Sequence, residues 1–377
     1  QFRHLGTVAS GAGYAGGACL STAIGKSTDI VLSRVLRHDG SDAPGLFGAR
    51  SKGFRMQLFD TRRLGPDGLA VIVGGSGFIG RYLVQELART GVRIRVVVRN
   101  EPAALFLKPL GSLGQIEIVS ADVRSPVSLA RAFDGATLGV NLVGILDESG
   151  QKFDSVQHLG AAAVAQAAAN AGVEAFVHVS AIGALSDSPA QYARSKGDGE
   201  AAVRNLLPVA TIVRPSIVFG PEDAFLNRFA GLARSLLVMP VIAGDTKFQP
   251  VYVRDVARAI VAALADPARF GGKTYDLGGP RVYTFRALLA WILQEIRVDK
   301  PLVDIPPFAA KAMAQLGKLL PGMPMTYDQW LMLQSDNVAV GPGLAEFGIE
   351  PTPMEAIAPG YLERFRTAGR FHRDRAA

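Results

Sequence analysis

Three features of this 377-residue chain predict an α/β fold built on a doubly wound parallel sheet. A glycine-rich turn separates an apolar pentad from an amphipathic stretch, the order strand, tight turn, helix. Short apolar runs then alternate with helix-like segments as far as residue 213. An apolar fraction of 49% against 19% charged provides enough side chains to bury both faces of such a sheet. The expected division is an N-terminal extension over 1–67, a Rossmann-type nucleotide-binding domain over 68–280 that includes the start of a second lobe, and a smaller C-terminal lobe with an interface tail over 281–377.

The first 28 residues hold Arg3 and Lys26 but no acid, and the chain starts at Gln1. An acid-poor, Ser/Ala-rich leader is compatible with organelle import and equally with a flexible arm. Arg50, Lys52, Arg55, Arg62 and Arg63 add charge suited to an acidic partner or to lipid headgroups.

Leu69–Val73 reads as the first strand, because five apolar residues run directly into Gly74. A helix follows over 81–89. Further strands are expected at Arg93–Val98, 115–119, 138–143, Ala175–Val179 and 209–213. Helices over 125–133, 153–170 and 189–206 fill the gaps. Ser188 and Pro189 read as N-cap and first residue of the last of these. The alanine-rich stretch 155–173 carries Gln157, His158, Gln166 and Asn170, which suits a helix packed on a sheet better than one in lipid. Right-handed crossovers between these units give a parallel sheet. After Gly220 the regularity fades. Segments 226–237, 256–265 and 285–296 look helical, 273–277 looks like a strand, and the tail from Pro301 is apolar and punctuated by proline.

The glycine turn supplies the first chemistry. Gly74, Gly75, Ser76, Gly77, Phe78, Ile79 and Gly80 contain both the G-x-G-x-x-G and the wider G-x-x-G-x-x-G spacing. One glycine serves a turn with positive φ, one lets backbone approach a pyrophosphate, and one lets helix pack on strand. The helix start offers unpaired N–H groups and the positive end of its dipole. A dinucleotide is the ligand this context predicts. When the cofactor is NAD, the second strand ends in an acid that accepts from the ribose 2′-OH. Here it ends in Arg99 and Asn100, 19 residues beyond Gly80, with Glu101 past the strand end. A guanidinium there favours the 2′-phosphate of NADP, the plainer alternative being a surface arginine. Asp122, followed by Val123, is placed to accept from an adenine amino group, or is simply a turn residue. Asn141, Leu142, Val143 and Gly144 end the fourth strand where backbone runs under the ribose.

Tyr192 and Lys196 lie at i and i+4 on one helical face. An ammonium beside a phenol favours the phenolate, which suits a general acid/base in hydride transfer, and the lysine also reaches a nicotinamide ribose. Ser180 and Ala181 stand side by side after the fifth strand, only one of them with a hydroxyl, and a misplacement of a reacting group by about 1 Å costs on the order of a hundredfold.

Other classes are disfavoured. The net charge of +7 is spread along the chain without a basic block interleaved with aromatics, which speaks against nucleic acid. A single cysteine, Cys19, excludes an intrachain disulfide, and five scattered histidines give no chelating pair. No metal is expected, and the compartment reads as reducing.

The glycine pattern, the segment from Asn141 to Gly144, the pair Tyr192 and Lys196, Arg214 and Pro215 ahead of Phe219, Gly220 and Pro221, and Arg254 with Asp255 together resemble the extended or atypical short-chain dehydrogenase/reductase superfamily from 69 to about 280. Pro109 to Gln115, His178 with Ser180 and Gly183, Glu222 to Phe229, Phe248 to Val253, and Leu344 to Met354 narrow this. With them the chain is similar, over roughly 69–366, to the alpha-subcomplex subunit 9 family of respiratory complex I, the NADH:ubiquinone oxidoreductase. That resemblance implies a non-catalytic accessory subunit with tightly bound NADPH. It would sit beside the quinone-binding region among other complex I subunits, in contact with a membrane surface, on the matrix side of the mitochondrial inner membrane or on the cytoplasmic membrane face of a bacterium. The cofactor-binding set expected is Gly74, Gly75, Ser76, Gly77, Phe78, Ile79, Arg99, Asn100, Asp122, Val123, Leu142, Val143, Tyr192, Lys196 and Pro215. Ser180, Tyr192 and Lys196 are then vestigial catalytic candidates. A second reading stays open: a free NADP-dependent reductase, or an epimerase or dehydratase, working through Tyr192 and Lys196.

In the tail, Phe308, Ala312, Leu316 and Leu319 fall on one helical stripe, with Lys311, Gln315 and Lys318 opposite, and Met323, Met325, Trp330 and Met332 follow. Such a helix packs into a core, lies on a membrane or meets a partner.

Overall fold

The computed structural model describes residues 64–148, 150–316 and 326–366. The leader, its basic residues, Cys19, and Lys318, Leu319, Met323 and Met325 lie outside the described residues.

The chain opens with β1 (Leu69–Val73), α1 (Phe78–Ala88), β2 (Arg93–Val98), a 3-10 segment (Pro102–Leu110), β3 (Ile116–Ser120), α2 (Pro126–Ala132) and β4 (Leu138–Asn141). A single π turn (Asp154–His158) leads into α3 (Leu159–Asn170), then β5 (Ala175–Val179), α4 (Gln191–Leu206) and β6 (Thr211–Pro215). Four short strands follow, β7 (Val218–Phe219), β8 (Met239–Val241), β9 (Lys247–Phe248) and β10 (Val251–Tyr252), with α5 (Leu226–Ser235) among them. Beyond them come α6 (Val253–Ala265), α7 (Pro267–Phe270) and β11 (Thr274–Leu277). Then come β12 (Tyr283–Thr284), α8 (Phe285–Glu295), β13 (Leu302–Asp304), α9 (Pro307–Leu316), α10 (Tyr327–Met332) and α11 (Met354–Leu362).

Seven of these strands form one parallel sheet in the order β11-β6-β5-β4-β1-β2-β3. Strand order reverses between β1 and β4, so a crevice opens at their carboxyl ends. Alternation on β1 sorts the two cores. Ala70 and Ile72 face one side with Leu83, Leu87, Val256 and Ile260 of α1 and α6. Leu69, Val71 and Val73 face the other with Leu129, Val164, Ala168 and Val203 of α2, α3 and α4. Each fully buried Val, Leu or Ile among them contributes roughly 1.5–3 kcal/mol. The alanine-rich α3 lets α4 approach closely: a Cβ on Gly199 would fall 2.2 Å from the Gln157 carbonyl oxygen. No described helix is long and apolar enough to cross a membrane.

Several boundaries shift for local reasons. Gln115 is a clamp instead of a strand residue, its amide donating to the Ala88 and Val92 carbonyls, so β3 starts one residue later. The 138–143 strand stops at Asn141, whose Oδ1 accepts from the Val143 N–H and turns the chain. The sixth strand starts at Thr211 because the Ala210 N–H turns back to the Leu207 carbonyl. Ser188 does not cap α4; the cap position is Ala190, and the acceptors come from Asp328.

A third core joins Phe219, Phe248, Phe285, Leu288, Ile292, Met354 and Leu362, drawing on chain from both sides of residue 280. On α9 the expected apolar stripe is displaced. Phe308 is 78% exposed and Ala312 is exposed, while Ala310 and Ala314 are buried. Small side chains, not the phenyl ring, make this helix's packed face.

Candidate nucleotide-binding site

A cleft of about 530 Å³ lies at the carboxyl ends of β1, β2 and β4, within the usual range for cofactor sites. Its wall brings together Gly74, Ser76, Gly77, Arg99, Asn100, Asp122, Val123, Leu142 and Val143 from the expected set. Gly74 has φ +82°, where a side chain is strained, and its Cα faces Val143. A Cβ on Gly80 would come 2.4 Å from the Gly75 carbonyl oxygen, so this glycine is what lets α1 close onto the turn. Gly77 caps α1 without a side-chain hydrogen bond, and no acid sits in the first turn. Helix geometry leaves the first N–H groups there without intrahelical partners. Together with the positive φ and the close backbone packing, this cradle fits a pyrophosphate.

Arg99 lies exposed at the end of β2, where its Nη1 donates to Gln151 Oε1 at 2.7 Å across the cleft wall. Asp122 is already engaged. Arg124 donates Nε to Oδ1 at 2.9 Å and Nη2 to Oδ2 at 2.5 Å, and this pairing holds the carboxyl at about 2. The acceptor expected for an adenine amino group thus carries a two-point ion pair that spacing did not foretell.

Behind Gly144 of the cleft wall lies a cluster of buried side chains. Lys196 is 4% exposed, its Nζ donates to the Val179 carbonyl at 3.3 Å, and a Cβ on Gly144 would lie 3.1 Å from it. Burial lowers its ammonium to about 8, against the opposing pull of Glu200. Glu200 itself is buried and paired with Arg214 at 2.7 and 2.6 Å. Gln157 Oε1 accepts from the Ile145 N–H, and its Nε2 donates to Ser195. Asn141 uses Oδ1 on Val143, which leaves Nδ2 to donate to His178 Nδ1 at 3.2 Å and puts the histidine proton on Nε2. Burial first and Lys196 second hold His178 at about 3, so it is neutral. Its Nε2 and the Ser180 hydroxyl are buried without hydrogen-bond partners among the described residues.

Tyr192 is half-buried, packed edge-on against Phe153 at 5.8 Å. Its phenol is raised to about 12, by burial first and then by the charge of Asp328. That is opposite to the lowering expected from Lys196, whose ammonium is turned to backbone instead. The phenol keeps its proton at neutral pH.

Gly75, Phe78, Ile79, Ser180, Tyr192, Lys196 and Pro215 lie outside the cleft wall. Gly75 packs against Val96 and Ile72, and Phe78 stacks edge-on with Tyr82. Pro215, ending β6, accepts from the Ile182 N–H. Sequence reasoning gave no site role to Gln151, Arg124, Gln157, His178 or Asp328; His178 entered only through the family resemblance and Gln157 only as a polar helix residue.

The model of the NAD dependent epimerase/dehydratase family matches residues 70–278. The chain is 40% identical over 251 residues to the mitochondrial NADH dehydrogenase [ubiquinone] 1 alpha subcomplex subunit 9 of Arabidopsis thaliana, covering 65% of this chain and 62% of that protein, somewhat less than two thirds of its length. It is 35% identical over 306 residues to the same-named protein of Mus musculus, covering 79% and 81%. A ceramide reductase of Caulobacter vibrioides is 36% identical over 201 residues, covering 53% and 62%. In fold the chain resembles the UDP-glucose 4-epimerase of Thermotoga maritima, with a TM-score of 0.60 and 18% identity over 80% of this chain and 99% of that one.

Proposed function

Since the chain belongs to the NAD dependent epimerase/dehydratase family and, within it, to the complex I alpha subcomplex subunit 9 family, we propose that it is a non-catalytic accessory subunit of mitochondrial respiratory complex I that holds NADPH as a structural brace. In this reading it sits on the matrix side of the inner membrane, touches neighbouring subunits and a membrane surface, and steadies the junction of the peripheral and membrane arms near the quinone site.

One juxtaposition carries the proposal: a complete phosphate cradle beside a proton relay that is not assembled. Gly74, Gly77 and the first turn of α1 would hold the pyrophosphate. Arg99, fixed by Gln151, would pair with a 2′-phosphate. Bound NADPH would supply the anionic charge that these groups lack and a hydride donor at its nicotinamide. Against turnover stand the raised phenol of Tyr192, the Lys196 ammonium directed to the Val179 carbonyl, and the Ser180 hydroxyl buried away from the cleft wall. Tyr192 and Lys196 then serve as holders of the nicotinamide ribose.

A second reading, a free NADP-dependent reductase or an epimerase or dehydratase, draws on the retained Tyr192 and Lys196 and on the likeness to a ceramide reductase. Native-gel migration of the endogenous protein separates the two. A subunit runs with a very large assembly and releases stoichiometric NADPH on denaturation. A free enzyme runs near 39.8 kDa and exchanges its nucleotide while reducing a carbonyl. The second pattern would sink the accessory reading.

A further inference from the structure

We propose that Asp328 is a positioning residue for the nicotinamide end of the cleft: from the C-terminal lobe it caps the helix that carries Tyr192 and Lys196, and so ties the hold on the nucleotide to the place of α10. The inference rests on the nucleotide reading above and names a residue that reading does not use.

The first N–H groups of α4 need acceptors. Ala190 at the cap position has no side chain to offer, and Ser188 spends its hydroxyl on the Ala190 N–H and its carbonyl on Arg194. The acceptors come instead from 136 residues further along the chain. Asp328 Oδ1 takes the Gln191 N–H at 2.5 Å and Oδ2 takes the Tyr192 N–H at 3.0 Å. A carboxylate at this place also meets the positive end of the helix dipole.

Asp328 is itself held from several directions. A capping box between Thr326 and Gln329 fixes the first turn of α10. Tyr327 stacks on Trp330, and Lys311 of α9 lies over the same indole at 5.8 Å. Just past α10, Thr246 donates to the Leu333 carbonyl, and the Asn337 side chain accepts from Ser216 and from the Ile217 N–H, directly beyond β6. The cap therefore stands on a framework of short helices and strand ends. Any displacement of α10 pulls on the backbone N–H of Tyr192 itself, and by reciprocity any ligand that fixes Tyr192 favours the docked α10.

The test uses full-length protein loaded with NADPH, with release followed by the fluorescence of the bound nicotinamide. Asp328→Ala should release NADPH about tenfold faster, the fold-change of a lost helix cap, and Asp328→Asn, which keeps an amide oxygen, should recover part of this. Amide exchange at Gln191 and Tyr192 should rise in Asp328→Ala. Thr284→Ala removes the cap of α8 in the same lobe and controls for general loosening. Equal release in Thr284→Ala and Asp328→Ala, or unchanged release in Asp328→Ala from a wild type that does bind, overturns the role of Asp328 alone. A wild type that takes up no NADPH overturns the nucleotide reading and this inference with it.

Discussion

The cleft wall and the buried cluster behind it are made in different ways. The wall is backbone and exposed charge: a turn from Gly74 to Gly80, Arg99 at a strand end, and Asp122 paired with a neighbour two residues away. The cluster is buried side chains from four separated segments: Asn141 bonds His178, Gln157 bonds Ser195 and the Ile145 N–H, and Lys196 bonds the Val179 carbonyl. The first is carried by one continuous turn and by residues at neighbouring strand ends. The second exists only when the whole α3–α4 layer is in place, so it reports on the fold around it.

The largest expected effect strikes the local end. Gly80→Ala drives a methyl into the Gly75 backbone and should cost about 2–3 kcal/mol by thermal melting, with loss of nucleotide binding; a stable, nucleotide-loaded variant would mean the turn is not close-packed. Next is charge. Arg99→Glu should weaken NADPH retention on the order of a hundredfold, far more than Tyr192→Phe, because a charge-assisted pair becomes a repulsion. Equal retention in Arg99→Glu, measured by equilibrium dialysis, would remove the 2′-phosphate from the picture.

A smaller effect tests the buried end. His178 is held at about 3 in the fold, below its ordinary value near 6.5, so the unfolded chain binds the extra proton. Its contribution is whole above about pH 6.5 and is lost as pH falls toward 3, at no more than about 1.4 kcal/mol per pH unit. His178→Asn keeps an acceptor for Asn141 and should flatten that part of a urea-melt stability profile between pH 6 and pH 4. An unchanged slope would remove His178 from the account of acid sensitivity; Asp122, held at about 2, acts only below about pH 4. Smallest is Ser188→Ala, expected to shift stability by about 0.5 kcal/mol or less because Asp328 supplies the cap.

The same contrast explains what could be read in advance. β1, the glycine turn, α1 and Arg99 were legible because the residues that make them are adjacent in the chain. The sheet followed, since its inner strands β1, β4 and β5 are buried along their whole length and therefore mostly apolar. Nothing in the 138–143 run showed that Asn141 would turn the chain with its own side chain. Ser188 looked like a cap because the rival lay 136 residues away. Phe308 looked like core by periodicity, but α9 packs through Ala310 and Ala314. A side-chain turn, a long-range cap and small-residue packing overrode the expected pattern at these three places.

The neutrality of Gln151 has a chemical consequence. An acid in its place would quench the guanidinium of Arg99; an amide only aims it. Under the proposed reading, a coenzyme ending in a plain ribose would leave that cation facing solvent, while one bearing the extra ester would cancel it. Two coenzymes differing by a single phosphoryl group would then be sorted by a side chain that carries no charge of its own.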